Sequence, residues 1–278
     1  MNHTTTRGLP AAVAAVLVGL LLVAGCTSPE SADGTRTGPP PADLTVYAAA
    51  SLTDAFTELG EAFEAANPGV TVTFDFDGSQ VLRTQLEQGA AADVFAPAST
   101  KQMDLAKVGG LMRNDSVKVF ATNRLAVLVP KANPAGIASF GDLADSNVRL
   151  AVGAKDVPIG DYARRVLDTT VTTASYGPDF RVKVLGNVVS EETSVNALAT
   201  RVVLGEVDAG IGYASDVPVA QRERVLTVEV PPELNVVAEY SIGVLARSDR
   251  SEIAQAFSEL ARSPEGRAVL ERHGFGPA

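Results

Sequence analysis

The 278-residue chain has one cysteine, Cys26, and no tryptophan. Without a second cysteine no internal disulfide can form, and no metal cluster can be built on thiolates. Histidine is nearly as scarce, with only His3 and His273. That leaves Ser–His and Cys–His nucleophile systems, and His-rich zinc sites, without parts. Basic residues are outnumbered, 23 Lys and Arg against 33 Asp and Glu, for a net charge of −10. General nucleic-acid binding needs the opposite balance and is excluded. A small anion is not, because the mean field is screened within roughly 8 Å at physiological salt. No G-x-G-x-x-G, P-loop or G-x-S-x-G motif occurs, and no internal repeat is visible. Binding, not enzymatic catalysis, is the expectation, and no cofactor is called for.

The one long apolar run is at the start, Ala11 to Ala24, behind a single positive charge at Arg7. It is too short and too poorly flanked for a spanning helix and fits a secretory signal, residues 1–25. Its end, Leu22, Val23, Ala24, Gly25 and Cys26, resembles a bacterial lipobox. That resemblance implies cleavage before Cys26 and a diacylglyceryl group on its thiol. The protein would then be lipid-anchored on the extracytoplasmic face of the cell membrane. Residues 26–42 are rich in Ser, Thr, Gly and Pro and read as a flexible linker. The folded body is expected from Asp43, with length enough for one large domain or two lobes.

Strand and helix signals alternate from there. Residues 45–50 read as a buried strand, and Ser51 with Asp54 has the S-x-x-D form of a capping box. Ser51 is therefore expected to cap a helix; the alternative is that its hydroxyl and nearby amides meet an anion. Residues 70–76 alternate as a strand, and Ser79 repeats the design after the turn at Asp77 and Gly78. Asp75 and Asp77 lack the other ligands of a calcium loop and read as solvated. Further strands are expected at 93–97, 124–130, 149–153, 181–185, 209–213, 225–230 and 236–245. Helices are expected at 100–108, from Pro158, from a cap at Thr193 or Ser194, at 253–261 and at 265–272. His273 suits the end of that last helix. The order predicts an α/β fold with a mainly parallel sheet, whose ligand sites lie where strands run into helices. Tyr213, closing a strand, fits a core aromatic or a ligand contact equally well.

Several segments together resemble the molybdate-binding proteins of ABC importers. They are Val46 to Thr53; Gly78 and Ser79; Gln85 to Phe95; Leu150 to Gly153; Val157, Pro158, Ile159, Gly160, Asp161, Tyr162 and Ala163; and Gly210 to Tyr213. The resemblance runs from about residue 44 to Gly274 and implies a two-lobed periplasmic-binding-protein fold of type II with the ligand between the lobes. Lobe 1 would comprise 43–123 and 233–278, and lobe 2 would comprise 124–232. Anion contacts carry over to the Ser51 and Ser79 hydroxyls, the Ile159 and Val195 amides and the Tyr213 phenol. The implied ligand is molybdate, with tungstate, delivered by a monomer to an ABC permease and its ATPase. Gln80 departs from the pattern, where a small hydroxyl residue is common, as do Thr193 and Ser194, where acids often stand.

A fully deprotonated tetrahedral dianion needs donors and no acceptor, which hydroxyls and helix N-termini supply. The cavity is expected to hold no Asp or Glu and to need no Lys or Arg. Two alternatives remain: a receptor of the same fold for another oxyanion such as sulfate, or a surface hydrolase using a carboxylate pair such as Glu191 and Glu192.

Overall fold

The computed structural model describes residues 42–217 and 219–278. The expected signal, Cys26 and the linker as far as residue 41 lie outside the described residues. The first strand, β1 (Ala42–Ala49), runs through a 3₁₀ turn, Ala50–Leu52, into α1 (Thr53–Ala66). Then come β2 (Val70–Asp77), α2 (Ser79–Glu87), β3 (Val94–Ala96) and α3 (Thr100–Val108). The long β4 (Lys118–Pro130) leads to β5 (Leu150–Gly153), α4 (Pro158–Thr170), α5 (Phe180–Gly186), β6 (Val188–Glu192), α6 (Val195–Leu204) and β7 (Ala209–Tyr213). The chain ends with β8 (Val225–Glu229), β9 (Val237–Val244), α7 (Ser251–Arg262) and α8 (Pro264–Arg272). No helix among the described residues is long and apolar enough to cross a membrane.

The strands lie in the order β2-β1-β3-β9-β4-β7-β5-β6, with β8 also on β4. Pairing is parallel at both flanks, β1 with β2 and β3, and β5 with β6 and β7. It is antiparallel in the middle, where β4 and β9 carry the chain across and back. The two halves meet in β4. Its first part, Lys118 to Arg124, pairs with β9, and its second, Leu125 to Pro130, pairs with β7 and β8. This is the expected two-lobed α/β architecture.

Each half has its own aromatic packing. In the first, Phe257 of α7 meets Phe56 and Phe63 of α1 edge-on at 5.8 and 5.4 Å. In the second, Phe140 packs on Tyr176 and Phe180 at 5.9 and 5.6 Å. That second cluster corrects the strand expected at 181–185, which is helix α5. Phe180 and Val184, one helical turn apart, are buried, while Val182 is 66% exposed. The alternation of Val182 and Val184 mimicked a strand; contact with Phe140 selects the helical period. The strand itself is β6, just beyond.

The expected capping box at Ser51 is not formed either. The N-cap of α1 is Leu52, which has no side-chain cap, and Ser51 sits inside the preceding 3₁₀ turn. Ser79, expected to repeat that design, is not a cap either, since Gly78 caps α2; the starts of α4 and α6 agree with expectation. Ser194 caps α6 by accepting from Ala197 N at 3.3 Å, and Pro158 opens α4 at a position that needs no amide.

Candidate anion-binding site

Five strand-to-helix junctions and the end of β7 converge on one small cavity. It is lined by Ser51, Ser79, Ile159, Val195 and Tyr213, together with Ala49, Ala50, Asp77, Gly78, Ala98, Val157, Pro158 and Ser194. All five sequence-predicted contact residues are therefore brought together. Among the described residues no lysine, arginine or histidine lines it.

The donors have distinct origins. Ile159 and Val195 are the second residue of α4 and the first of α6, positions whose amides have no carbonyl partner within the helix. The positive ends of both helix dipoles therefore face the cavity. Gly160 allows α4 to start this close to β5, since a Cβ there would stand 2.0 Å from Ala154 O. Ser79 is the first residue of α2, not its cap, which is Gly78. Its buried hydroxyl oxygen accepts from Ala98 N at 3.0 Å, and its own proton is left for the cavity. Ser51 Oγ lies 2.9 Å from the Tyr240 hydroxyl.

Tyr213 is the decisive group. It is 0% exposed, and its hydroxyl has no hydrogen-bond partner among the described residues. Buried polar groups are rarely left unpaired, and an orphan donor in a cavity is where a ligand acceptor belongs. Burial first, and then Tyr240 nearby, push the phenol well above its ordinary pKa, so it keeps its proton to donate. The Tyr213 amide donates to Asp216 Oδ2 at 2.6 Å. Burial raises Asp216 to about 8, so this neighbour carries no charge at neutral pH.

One expectation needs correcting. Asp77 is part of the lining, so the cavity is not free of acid. Its Oδ1 is turned back to accept from Gly78 N at 2.6 Å. The solvated reading failed because Asp77 ends β2 at the cavity rim, only half-buried but beside the donors. The carboxylate pair of the hydrolase alternative is occupied elsewhere. Glu191 pairs with Arg164 at 2.6 Å, and Glu192 is engaged by Ser190 and Arg201. His273 ends α8 as expected, with Nε2 2.8 Å from Glu58 Oε2. Tyr162, set aside as a packing residue, is buried and is not among the lining residues.

The two halves touch across the cavity. Gln80 Nε2 donates to Thr193 O at 2.9 Å, Gln102 Nε2 to Asp156 O at 3.4 Å, and Lys101 pairs with Asp161 at 3.7 Å. At Gly78 a Cβ would stand 2.3 Å from Thr193 O, so only glycine lets the halves approach this far. Sequence reasoning missed Tyr240 and Asn123, which stand behind Ser51. Tyr240 falls at a buried position of a hydrophobic strand, and nothing local marks its hydroxyl as part of a site.

Residues 44–276 match the model of the bacterial extracellular solute-binding protein family. The chain belongs to this family. As a solute-binding protein it is 39% identical to the molybdate-binding protein of Mycobacterium tuberculosis over 95% of each chain. It is 30% identical to a Bacillus subtilis protein provisionally named an ABC transporter substrate-binding lipoprotein, over 94% of this chain and 95% of that one. The expected kinship with molybdate-binding proteins is thus borne out, and these relatives bind solutes instead of transforming them. The sulfate-binding protein of Mycobacterium tuberculosis has the same fold, with a TM-score of 0.76 at 18% identity, covering 85% of this chain and 87% of that one. At that identity the likeness concerns the fold alone.

Proposed function

We propose that this solute-binding protein captures molybdate, and tungstate with it, outside the cell membrane and delivers it to the permease and ATPase of an ABC importer. The observation that carries this reading is the buried, unpartnered Tyr213 hydroxyl, in a cavity shared with two serine hydroxyls and two helix N-termini. Such a set binds a dianion through donors alone. Hydrogen bonds to a charged group contribute roughly 1.5–3 kcal/mol each, so about five support micromolar or tighter binding after the costs of association. The identity to a molybdate-binding protein over nearly the whole chain supports the choice of ligand.

The lobes are read as 43–123 with 233–278, and 124–232, the ligand lying between them. The exchange of partners along β4 and the passage from β8 to β9 support those crossings. The protein would work as a monomer held to the membrane through Cys26; the name of the Bacillus subtilis relative supports a lipid anchor. Sulfate is the second reading, favoured by the fold shared with a sulfate-binding protein and by the same donor-only chemistry. Isothermal calorimetry of the purified protein against molybdate, tungstate, sulfate and phosphate separates the two. The proposal expects molybdate and tungstate to bind one to one and far more tightly than sulfate. Sulfate binding as tight as molybdate, or no heat with molybdate, overturns it.

A further inference from the structure

The hydroxyl of Ser51 does not face the cavity alone. Behind it stands a chain of polar groups in which Asn123 and Tyr240 are buried. The Asn123 carbonyl oxygen accepts from Arg124 N at 2.9 Å, which places the amide nitrogen on the other side. That nitrogen, which can only donate, reaches Ser215 Oγ at 2.7 Å and the Tyr240 oxygen at 3.5 Å. The Tyr240 and Ser51 hydroxyls lie 2.9 Å apart, where either can donate; with its oxygen facing the Asn123 amide, Tyr240 is placed to give its own proton to Ser51 Oγ. Ser51 then has its oxygen engaged and its proton free, turned to the cavity. Ser79 is polarised the same way by Ala98 N.

We propose that Tyr240, oriented by Asn123, locks Ser51 as a donor and so sets the site against oxyanions that carry a proton. Hydrogen phosphate must place an O–H somewhere, and a donor facing it leaves that proton unpaired at a cost. Molybdate and sulfate carry no such proton at neutral pH. Tyr240 and Asn123 are positioning residues, since both act through Ser51. The inference rests on the oxyanion reading of the site and adds to it the element that selects the protonation state of the ligand.

The test is a double-mutant cycle on the full chain with Tyr240→Phe and Ser51→Ala, titrated calorimetrically with molybdate and with inorganic phosphate. Tyr240→Phe keeps the ring in its edge-on packing with Phe120, Tyr213 and Phe275 at 6.4, 6.1 and 5.3 Å. It is expected to weaken molybdate by about tenfold and phosphate by much less, narrowing the preference. In the Ser51→Ala background it is expected to change molybdate affinity by less than about twofold. Should Tyr240→Phe not fold, Asn123→Ala carries the same cycle with the same signs. Multiplicative losses in the double variant, or equal losses for both anions, overturn the proposal. So does a preference that shifts with Asp77→Asn but not with Tyr240→Phe. A wild-type protein that binds no oxyanion defeats the functional reading and this inference with it; tight molybdate binding with an unmoved preference defeats the inference alone.

Discussion

Removing one oxygen atom, in Tyr213→Phe, should move binding and stability in opposite directions. The Tyr213 hydroxyl is buried with no partner among the described residues, and an unpaired buried group costs about 1–3 kcal/mol. Phenylalanine keeps the ring against Tyr240, 6.1 Å away, and removes the unpaired group. The ligand-free variant should therefore melt at the same temperature as the parent or higher, by about 2–4 °C per kcal/mol for a domain of this size. With molybdate the balance reverses, because a hydrogen bond to a charged acceptor is lost. Roughly 1.5–3 kcal/mol of binding corresponds to a loss of about 10- to 150-fold. Scanning calorimetry without ligand and titration with molybdate, on the same preparation, read both. A lower melting temperature with affinity unchanged within about twofold would refute the reasoning and make Tyr213 a packing residue.

Gly78→Ala should cost at least about tenfold in affinity, since its Cβ would stand 2.3 Å from Thr193 O when the halves approach. Its backbone at φ −57° accepts alanine, so denaturant unfolding of the empty protein should stay within about 1 kcal/mol of the parent. Asp216 gives a pH dependence. Its folded-state pKa of about 8 lies above the roughly 3.9 of an unfolded chain, so the folded protein binds the extra proton and stability falls as pH rises through that window. Urea midpoints should decline from pH 4 to pH 8, and Asp216→Asn should flatten that decline; an unchanged slope would exclude Asp216 as its source. Cys26→Ser should release the protein from membranes or leave the precursor uncut, as membrane fractionation would show, whereas normal processing with full retention would contradict the anchor.

Where the physics is local, the sequence was sufficient. The starts of α4 and α6 are marked by Pro158 and by Thr193 or Ser194, and the left-handed Gly205 (φ 70°) closes α6. Ser79, Ile159, Val195 and Tyr213 are legible because each stands where a helix begins or a strand ends, and the family pattern then chooses among such places. Ser51 lines the cavity, but the local reason for singling it out does not hold. The S-x-x-D spacing suggests a cap, whereas the 3₁₀ turn hands its hydroxyl to Tyr240, 189 positions away. No spacing rule reaches that far, which is why Tyr240 and Asn123 stayed invisible. At 181–185 two readings of the same valines were possible, and only packing on Phe140 chose between them. Asp77 was misjudged because exposure at a strand end depends on what the other half of the molecule brings to it.

The most direct test of the donor-only site is a crystal structure of the protein with molybdate, in which the metal can be located by its anomalous scattering. The account predicts one peak in the cavity, its oxygens within hydrogen-bond distance of the Ser51, Ser79 and Tyr213 hydroxyls and of the Ile159 and Val195 amides. A peak elsewhere, or one in the cavity with the Tyr213 hydroxyl still unpaired, would contradict it.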